Sequence, residues 1–107
     1  MNAPFISDAL PELAHELETL LLKCGEPDLA AQIRLLHIVD RCRCREDFCA
    51  TFYTEPRPGG SWGAGHRNIS LDCEQGMLIL DVVDHKLKCV EVLDRPEVRK
   101  RLHEILP

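Results

Sequence analysis

The apolar positions in the first third of the chain recur at spacings of three and four residues. They are Leu10, Leu13, Ala14, Leu17, Leu20, Leu21 and Cys24. This period predicts a helix from about Asp8 or Pro11 to Lys23. A second, shorter helix starts near Pro27, a residue that the first helical turn tolerates. The pattern therefore predicts a helical pair over residues 8–35.

After Leu36 the apolar period changes to two. Residues 37–44 and 48–54 alternate between apolar and polar and contain β-branched and aromatic side chains, with a polar Glu46-Asp47 pair between them. This arrangement predicts a β-hairpin. The following residues, 55–66, are rich in Pro and Gly and predict a long loop.

Three more strands are predicted between this loop and residue 93. The third strand covers about residues 66–72, and the next two are joined by a tight turn at Asp84-His85. With that turn Leu80 is expected opposite Cys89 and Val82 opposite Leu87. Asp81 is then expected opposite Lys88, as an opposite-charge cross-strand pair.

The last segment, residues 95–106, has a Pro-Glu start and a helical apolar stripe, which predict a terminal helix. The whole chain, 1–107, is expected to be a single α+β domain. Its parts are an N-terminal helical pair (8–35), an antiparallel meander of about five strands (36–93, with the loop 55–66) and a C-terminal helix, with the helices against one face of the sheet.

The net charge of -5 is unevenly distributed. Residues 1–30 carry six acids and one base, Lys23, whereas residues 31–107 carry twelve of each. An acidic chain lacks the basic surface that nucleic-acid binding requires, so no nucleic-acid partner is expected. No stretch approaches the roughly 18 apolar residues of a membrane span, and the N-terminus does not resemble a signal peptide. We therefore expect a cytoplasmic protein with no membrane association.

Six cysteines change this ordinary picture, because three of them, Cys42, Cys44 and Cys49, lie within eight residues. In a reducing cytoplasm such thiols are more often free, metal-binding or redox-active than cross-linked. A hairpin turn centred on Glu46-Asp47 would place Cys42 opposite Thr51 and gather the three thiols on one face. A slip of one residue would move Cys49 to the other face.

The first interpretation of the cluster is a site for a thiophilic metal such as zinc. Thiolates bind zinc at about 2.3 Å, usually four at a time or together with histidine. Cys42-x-Cys44 is tighter than the usual zinc knuckle, and a fourth ligand has to come from elsewhere. The residues considered for that position are Cys73, His66 and, with less support, Cys89.

Two other interpretations are left open by the residues. Cys44 and Cys49, or Cys42 and Cys44, could form a reversible dithiol, although strand alternation directs the neighbouring arginines away from the sulfurs and weakens their activation. Alternatively the thiols could pack as small apolar core residues. Cys24 and Cys89, each on an apolar face, fit that core role better still.

A different class of function is a protein-interaction module, immunity-like or regulatory, whose cysteines only pack in the core. It would use the acidic N-terminal helix, with Glu12 and Glu16, against a basic or neutral partner. Trp62, His66 and Arg67, in or beside the glycine-rich loop, are further candidates for the interface. A homodimer through an exposed sheet edge is another alternative. No catalytic motif is present, so an enzyme is not expected.

Four segments also carry a resemblance to known sequences: 39–44, 47–54, 65–68 and 80–84. They resemble small uncharacterised bacterial proteins that share a Cys-x-Cys-x4-Cys hairpin, and the resemblance covers most of the chain. It implies a bacterial cytosolic origin and no known activity. It therefore assigns no role to any residue.

Overall fold

The computed structural model describes residues 3–107 and confirms an α+β fold. The helices are α1 (Ile6–Ala9), α2 (Pro11–Lys23), α3 (Pro27–Gln32) and α4 (Pro96–Ile105), and a short 3-10 helix covers Ile33–Leu35. The strands are β1 (Asp40–Arg41), β2 (Phe52–Tyr53), β3 (His66–Leu71), β4 (Met77–Val83) and β5 (Lys86–Leu93). Within these residues no helix combines the length and the apolar character needed to cross a membrane.

The first predicted helix is confirmed with its Pro11 start as α2, and a separate short helix, α1, precedes it and ends before Leu10-Pro11. Pro11 has no backbone N–H to donate, so it occupies the first turn of a new helix and does not continue the old one. The core expectation for Cys24 is wrong. This residue is exposed at the end of α2, where its thiol donates to the carbonyl oxygen of Leu21 at 3.4 Å.

The sheet has the strand order β1-β2-β5-β4-β3, and every neighbouring pair is antiparallel. The meander predicts that each strand pairs with the next one in the chain. This prediction holds for β1 with β2, for β3 with β4 and for β4 with β5. It does not hold between β2 and β3, because residues 54–65 carry the chain to the far edge of the sheet and leave β2 beside β5. A loop of that length can span the two intervening strands.

The hairpin of β4 and β5 contains a bulge that changes the predicted register. Val82 pairs with Leu87 as expected, but a shift between Asp81 and Val82 leaves Lys88 as the extra residue. Asp81 therefore lies opposite Cys89, and the predicted pairs Asp81 with Lys88 and Leu80 with Cys89 are wrong. The ammonium of Lys88 instead contacts the carboxylate of Glu55.

The two faces of the sheet differ in character. One face contributes Phe52, Leu78, Leu80, Val90 and Val92 to a core that also contains the buried side chains of all four α-helices. The other, which we call the outer face, carries mostly polar side chains that range from buried to exposed. They are Thr51, Tyr53, His66, Asn68, Asp81, Cys89 and Glu91.

Helix α4 is tied to α2 by a nearly buried ion pair. The guanidinium of Arg95, 8% exposed, donates to both carboxylate oxygens of Glu16 at 2.7 and 2.8 Å and also to the carbonyl of Gln75. The hydrogen bonds with Glu16 raise the pKa of Arg95 above its usual value. Bidentate pairs of this kind are geometrically specific, so Glu16 holds the two helices together.

Candidate metal centre

The two short strands at the edge of the sheet fix where Cys42 lies. Asp40 pairs with Tyr53 and Arg41 with Phe52, and the amide of Cys42 continues the ladder by donating to the carbonyl of Thr51 at 2.8 Å. This is the register expected from a turn centred on Glu46-Asp47, not its one-residue slip. Because side chains alternate along a strand, Cys42 lies on the outer face of the sheet.

Beyond Cys42 the chain leaves the ladder, so the predicted strands 37–44 and 48–54 are much shorter than expected. The amide of Cys49 donates to the carbonyl of Glu46 at 3.2 Å and closes a turn. A single bridge then joins Cys49 to Leu93, and the amide of Asp94 donates to the carbonyl of Phe48 at 2.8 Å. Cys44 is therefore placed by a loop anchored to the end of β5, and not by cross-strand pairing.

This loop brings the sulfurs of Cys42, Cys44 and Cys49 together. All three lie within 4.8 Å of one another, and we call them the thiol cluster. Two sulfurs bound tetrahedrally at about 2.3 Å from one zinc ion are roughly 3.8 Å apart. Small side-chain rotations would therefore bring the three sulfurs to the separation that a shared zinc ion requires. Among residues 3–107 this is the one group of three or more His, Cys, Asp or Glu side chains with ligand atoms so close.

The pKa values of Cys42 and Cys44 are shifted in opposite directions. Partial burial raises the pKa of Cys42 to about 11. Cys44 is exposed, and hydrogen bonding with the backbone of Glu46, and then with the thiols of Cys49 and Cys42, lowers its pKa. Hydrogen bonds to a charged group favour the charged form. Cys44 therefore gives up its proton before Cys42.

Two arginines of this segment, Arg41 and Arg43, are held by the C-terminal end of the chain and by Asp40. Arg41 donates through Nε to the carbonyl of Leu106 at 2.5 Å, and Arg43 donates to the carbonyl of Pro107 at 2.8 Å. Arg43 also pairs with Asp40 at 2.9 Å. These contacts fasten the start of the loop to the end of α4, and the lowered pKa of Cys44 has its causes in the loop itself.

The residues proposed as a fourth ligand are placed elsewhere. His66 Nε2 bonds Asp81 Oδ1 at 2.8 Å, and the thiol of Cys73 donates to the carbonyls of Gln75 and Gly76. Cys89 is 3% exposed and lies opposite Asp81 in the ladder, where burial raises its pKa. None of the three joins the sulfurs of the thiol cluster.

The residues predicted for a protein interface are also separated. Glu12 is exposed on α2, whereas Glu16 is committed to Arg95. Trp62 is half-buried with its ring centroid 6.4 Å from that of His66 and 6.4 Å from that of Tyr53, so its loop reaches the outer face.

Arg67 also forms an ion pair within the protein. It donates to both carboxylate oxygens of Glu26 at 3.1 Å, and this contact lowers the pKa of Glu26. Among the charged residues predicted for the interface, Glu12 is exposed and forms no ion pair within residues 3–107.

A second polar cluster, missed from the sequence, lies on the outer face. The buried carboxylate of Asp81 accepts hydrogen bonds from His66 and from Asn68 Nδ2, the latter at 2.6 Å. Burial, followed by a hydrogen bond with Asp81, raises the pKa of Glu91 to about 7. We call these four residues the Asp81 network. The sequence marks only Asp81, as a lone acid within the apolar run Met77–Val83, and gives no sign of its partners.

The comparisons with family models, curated proteins and solved structures gave no match. The chemistry of the chain's own residues is therefore what bears on function. Its most specific feature is the set of three free thiols, which lie close enough together to bind a metal ion.

Proposed function

We propose that this protein binds one thiophilic metal ion, zinc in the first place, through Cys42, Cys44 and Cys49. The observation that carries the proposal is the convergence of three sulfurs to within 4.8 Å in one eight-residue segment. Soft thiolate ligands favour zinc and monovalent copper over the hard cations that prefer oxygen. The function proposed is metal binding, and no catalytic step is part of it.

The exposure of the thiols supports metal binding over core packing. A cysteine that packs as an apolar residue is buried, as Cys89 is at 3% exposure. Cys44 is exposed and Cys42 and Cys49 are half-buried, so the core interpretation of the cluster has no support in its burial. A dithiol, in turn, uses two sulfurs and gives no reason for the third to converge.

Backbone amides around the sulfurs support the same proposal. Backbone hydrogen bonding by Glu46 lowers the pKa of Cys44, and backbone hydrogen bonding by Cys44 opposes the rise in the pKa of Cys42. Hydrogen bonds from an outer shell orient metal ligands and stabilise their charged form. The loop thus supplies donors for thiolates before any metal is bound.

The thiols also need a compartment that keeps them reduced. Cytoplasm does so, and oxidising compartments convert neighbouring thiols to disulfides. We therefore include a cytoplasmic location in the proposal. Zinc binding would displace the remaining thiol protons, which couples its affinity to pH.

A competition titration tests the proposal. Reduced, metal-free protein is titrated with zinc in the presence of a chromophoric chelator, and we expect one equivalent bound. Loss of an outer-shell partner already weakens metal sites about 10- to 100-fold, so Cys42→Ser, Cys44→Ser and Cys49→Ser should each weaken binding at least about 100-fold.

Cys24→Ser is the matched control, because Cys24 is an exposed cysteine outside the cluster. Its zinc affinity should equal that of the wild type. Absence of zinc binding by reduced wild-type protein, or wild-type affinity in the cluster variants, would contradict the proposal.

A further inference from the structure

The thiol cluster offers a metal three ligands, one fewer than a closed structural zinc site. Structural sites are almost always four-coordinate, whereas sites with three protein ligands leave a position for a ligand from outside. Within residues 3–107, no fourth His, Cys, Asp or Glu side chain brings a ligand atom into the group formed by the three sulfurs. The coordination shell that this part of the chain supplies is therefore incomplete.

The side chains that could complete it are held by other partners. His66 is bonded to Asp81, and Trp62 lies beside its ring. The thiol of Cys73 donates to two carbonyls in the turn between β3 and β4. Recruiting either residue would break these bonds and would require its strand or turn to move.

The thiol cluster is open on the side of Cys44. Cys44 is exposed, as are all the residues from Arg43 to Phe48, so no packed side chain encloses this side of the cluster. Cys42 is the more buried of the first two thiols, next to the strand ladder. A ligand arriving from solvent would therefore reach a bound ion from the Cys44 side.

We propose that the metal bound by Cys42, Cys44 and Cys49 keeps a fourth position open on the Cys44 side, and that the thiolate of a low-molecular-weight thiol binds there. This inference rests on the proposed metal-binding function. Binding forms one metal–sulfur bond, displaces a water ligand and releases the thiol proton to solvent, with no change of oxidation state.

Two features of the loop favour a thiolate of this kind. An ion already held by thiolates is matched by a further soft sulfur ligand. Phe48, the residue before Cys49, is 48% exposed, so it leaves this side of the loop open to a small thiol. The three arginines of residues 40–47 balance the three acids there, so the segment does not repel an anion as a whole.

The test uses the full chain loaded with cobalt(II), which occupies zinc sites and gives a sulfur-to-metal charge-transfer band that grows with each thiolate bound. 2-Mercaptoethanol is added to the cobalt protein, and 2-(methylthio)ethanol, which has no acidic thiol, serves as the control. Going from three thiolates to four should raise the band about 1.3-fold with saturation at one equivalent, and the control should leave it unchanged. Native mass spectrometry should show the protein, one cobalt and one thiol together.

The two proposals fail in different ways in this experiment. If the protein takes up no cobalt, the proposed metal-binding function is wrong and this inference falls with it. If cobalt binds but the thiol leaves the spectrum unchanged, the site is closed and only the inference is overturned. Removal of the cobalt by the thiol, without a ternary complex, also overturns the inference.

Two further measurements test whether the fourth metal ligand comes from Glu46 or from a second copy of the chain. They are the response of the Glu46→Gln variant to thiol and the size of the protein in solution. If the carboxylate of Glu46 occupies the fourth position, only this variant should gain the response to thiol. If a second copy of the chain completes the shell, the cobalt protein should elute as a dimer. Either result contradicts the proposal, whereas a monomer whose response is the same in Glu46→Gln and wild type agrees with it.

Discussion

The outer face of the sheet carries two polar clusters that are held in different ways. The Asp81 network lies on β3, β4 and β5, where long ladders fix each backbone position. The thiol cluster lies beyond the ends of two-residue strands, in an exposed loop. Polar groups within the ladder are therefore part of what stabilises the fold. The thiols, in contrast, can bind a ligand or be replaced with little change in the free energy of unfolding.

The largest effect on stability is expected from the Asp81 network. Asp81→Ala removes the acceptor for His66 and Asn68 at a position only 5% exposed. Each of the two hydrogen bonds to this carboxylate contributes about 1 kcal/mol, so the free energy of unfolding in urea should fall by about 2 kcal/mol. Ser70→Ala, on the same face of β3 but exposed, is the control and should change it by less than about 0.5 kcal/mol. Equal stability of the two variants would count against a structural role for the network.

A pH-dependent affinity for zinc is the next largest effect. With a pKa of about 11, Cys42 holds its proton near neutral pH, so zinc has to displace it. Each proton displaced makes the affinity rise about tenfold per pH unit, and Cys42 alone should give at least this slope between about pH 6 and pH 8. Competition titrations across this range measure it, and Cys42→Ser should have a shallower slope. A wild-type affinity independent of pH would contradict the account.

Glu91 of the Asp81 network should make the stability of the protein depend on pH. Glu91 has a folded pKa of about 7, raised from 4.5, so the folded state binds this proton more tightly than the unfolded state. Its stabilising contribution is complete below the unfolded pKa and is lost as the pH rises through about 7.

Because Glu91 is partly exposed, water screens the effect, and we expect a loss of roughly 1 kcal/mol between pH 4.5 and pH 7 relative to Glu91→Gln. Urea unfolding at several pH values provides the measurement. A difference between the two proteins that grows in the opposite direction would be inconsistent with the raised pKa.

The smallest effect concerns the order in which thiols react. Cys44 is exposed and its pKa is lowered by the amide of Glu46, so in metal-free protein it should be alkylated by iodoacetamide several-fold faster than Cys42. Cys89, buried opposite Asp81, should react last. Peptide mapping by mass spectrometry at short reaction times gives the order. Faster labelling of Cys42 than of Cys44 would show that the loop is arranged differently.

The thiol cluster was predictable from the sequence in part. The two-residue period and the polar Glu46-Asp47 pair predicted the register that places Cys42 opposite Thr51. Cross-strand pairing was expected to place Cys44 beside the other two thiols. The ladder instead ends at Cys42, and a loop closed by backbone hydrogen bonds places the sulfur of Cys44 near those of Cys42 and Cys49. Such bonds depend on the end of β5, which is distant in sequence.

The Asp81 network was not predictable, since it depends on a bulge. A two-residue turn at Asp84-His85 gives the register of Val82 with Leu87, but nothing in the apolar pattern marks Lys88 as the extra residue. The attraction between Asp81 and Lys88 favoured the unbulged pairing. In the structure Lys88 pairs with Glu55, which lies in the loop after β2. Nothing in the sequence near Lys88 indicates this contact, because the two residues are far apart in the chain.

Zinc-edge X-ray absorption on the reduced, zinc-loaded protein tests the central claim most directly. We expect three sulfur ligands at about 2.3 Å from the ion in the absence of added thiol. The variant with Ser at positions 42, 44 and 49 should lose this sulfur shell and still fold, with a free energy of unfolding within about 0.5 kcal/mol of the metal-free wild type. A zinc ion bound without sulfur ligands, or a sulfur shell that survives in the variant, would contradict the claim that these three thiols hold the metal.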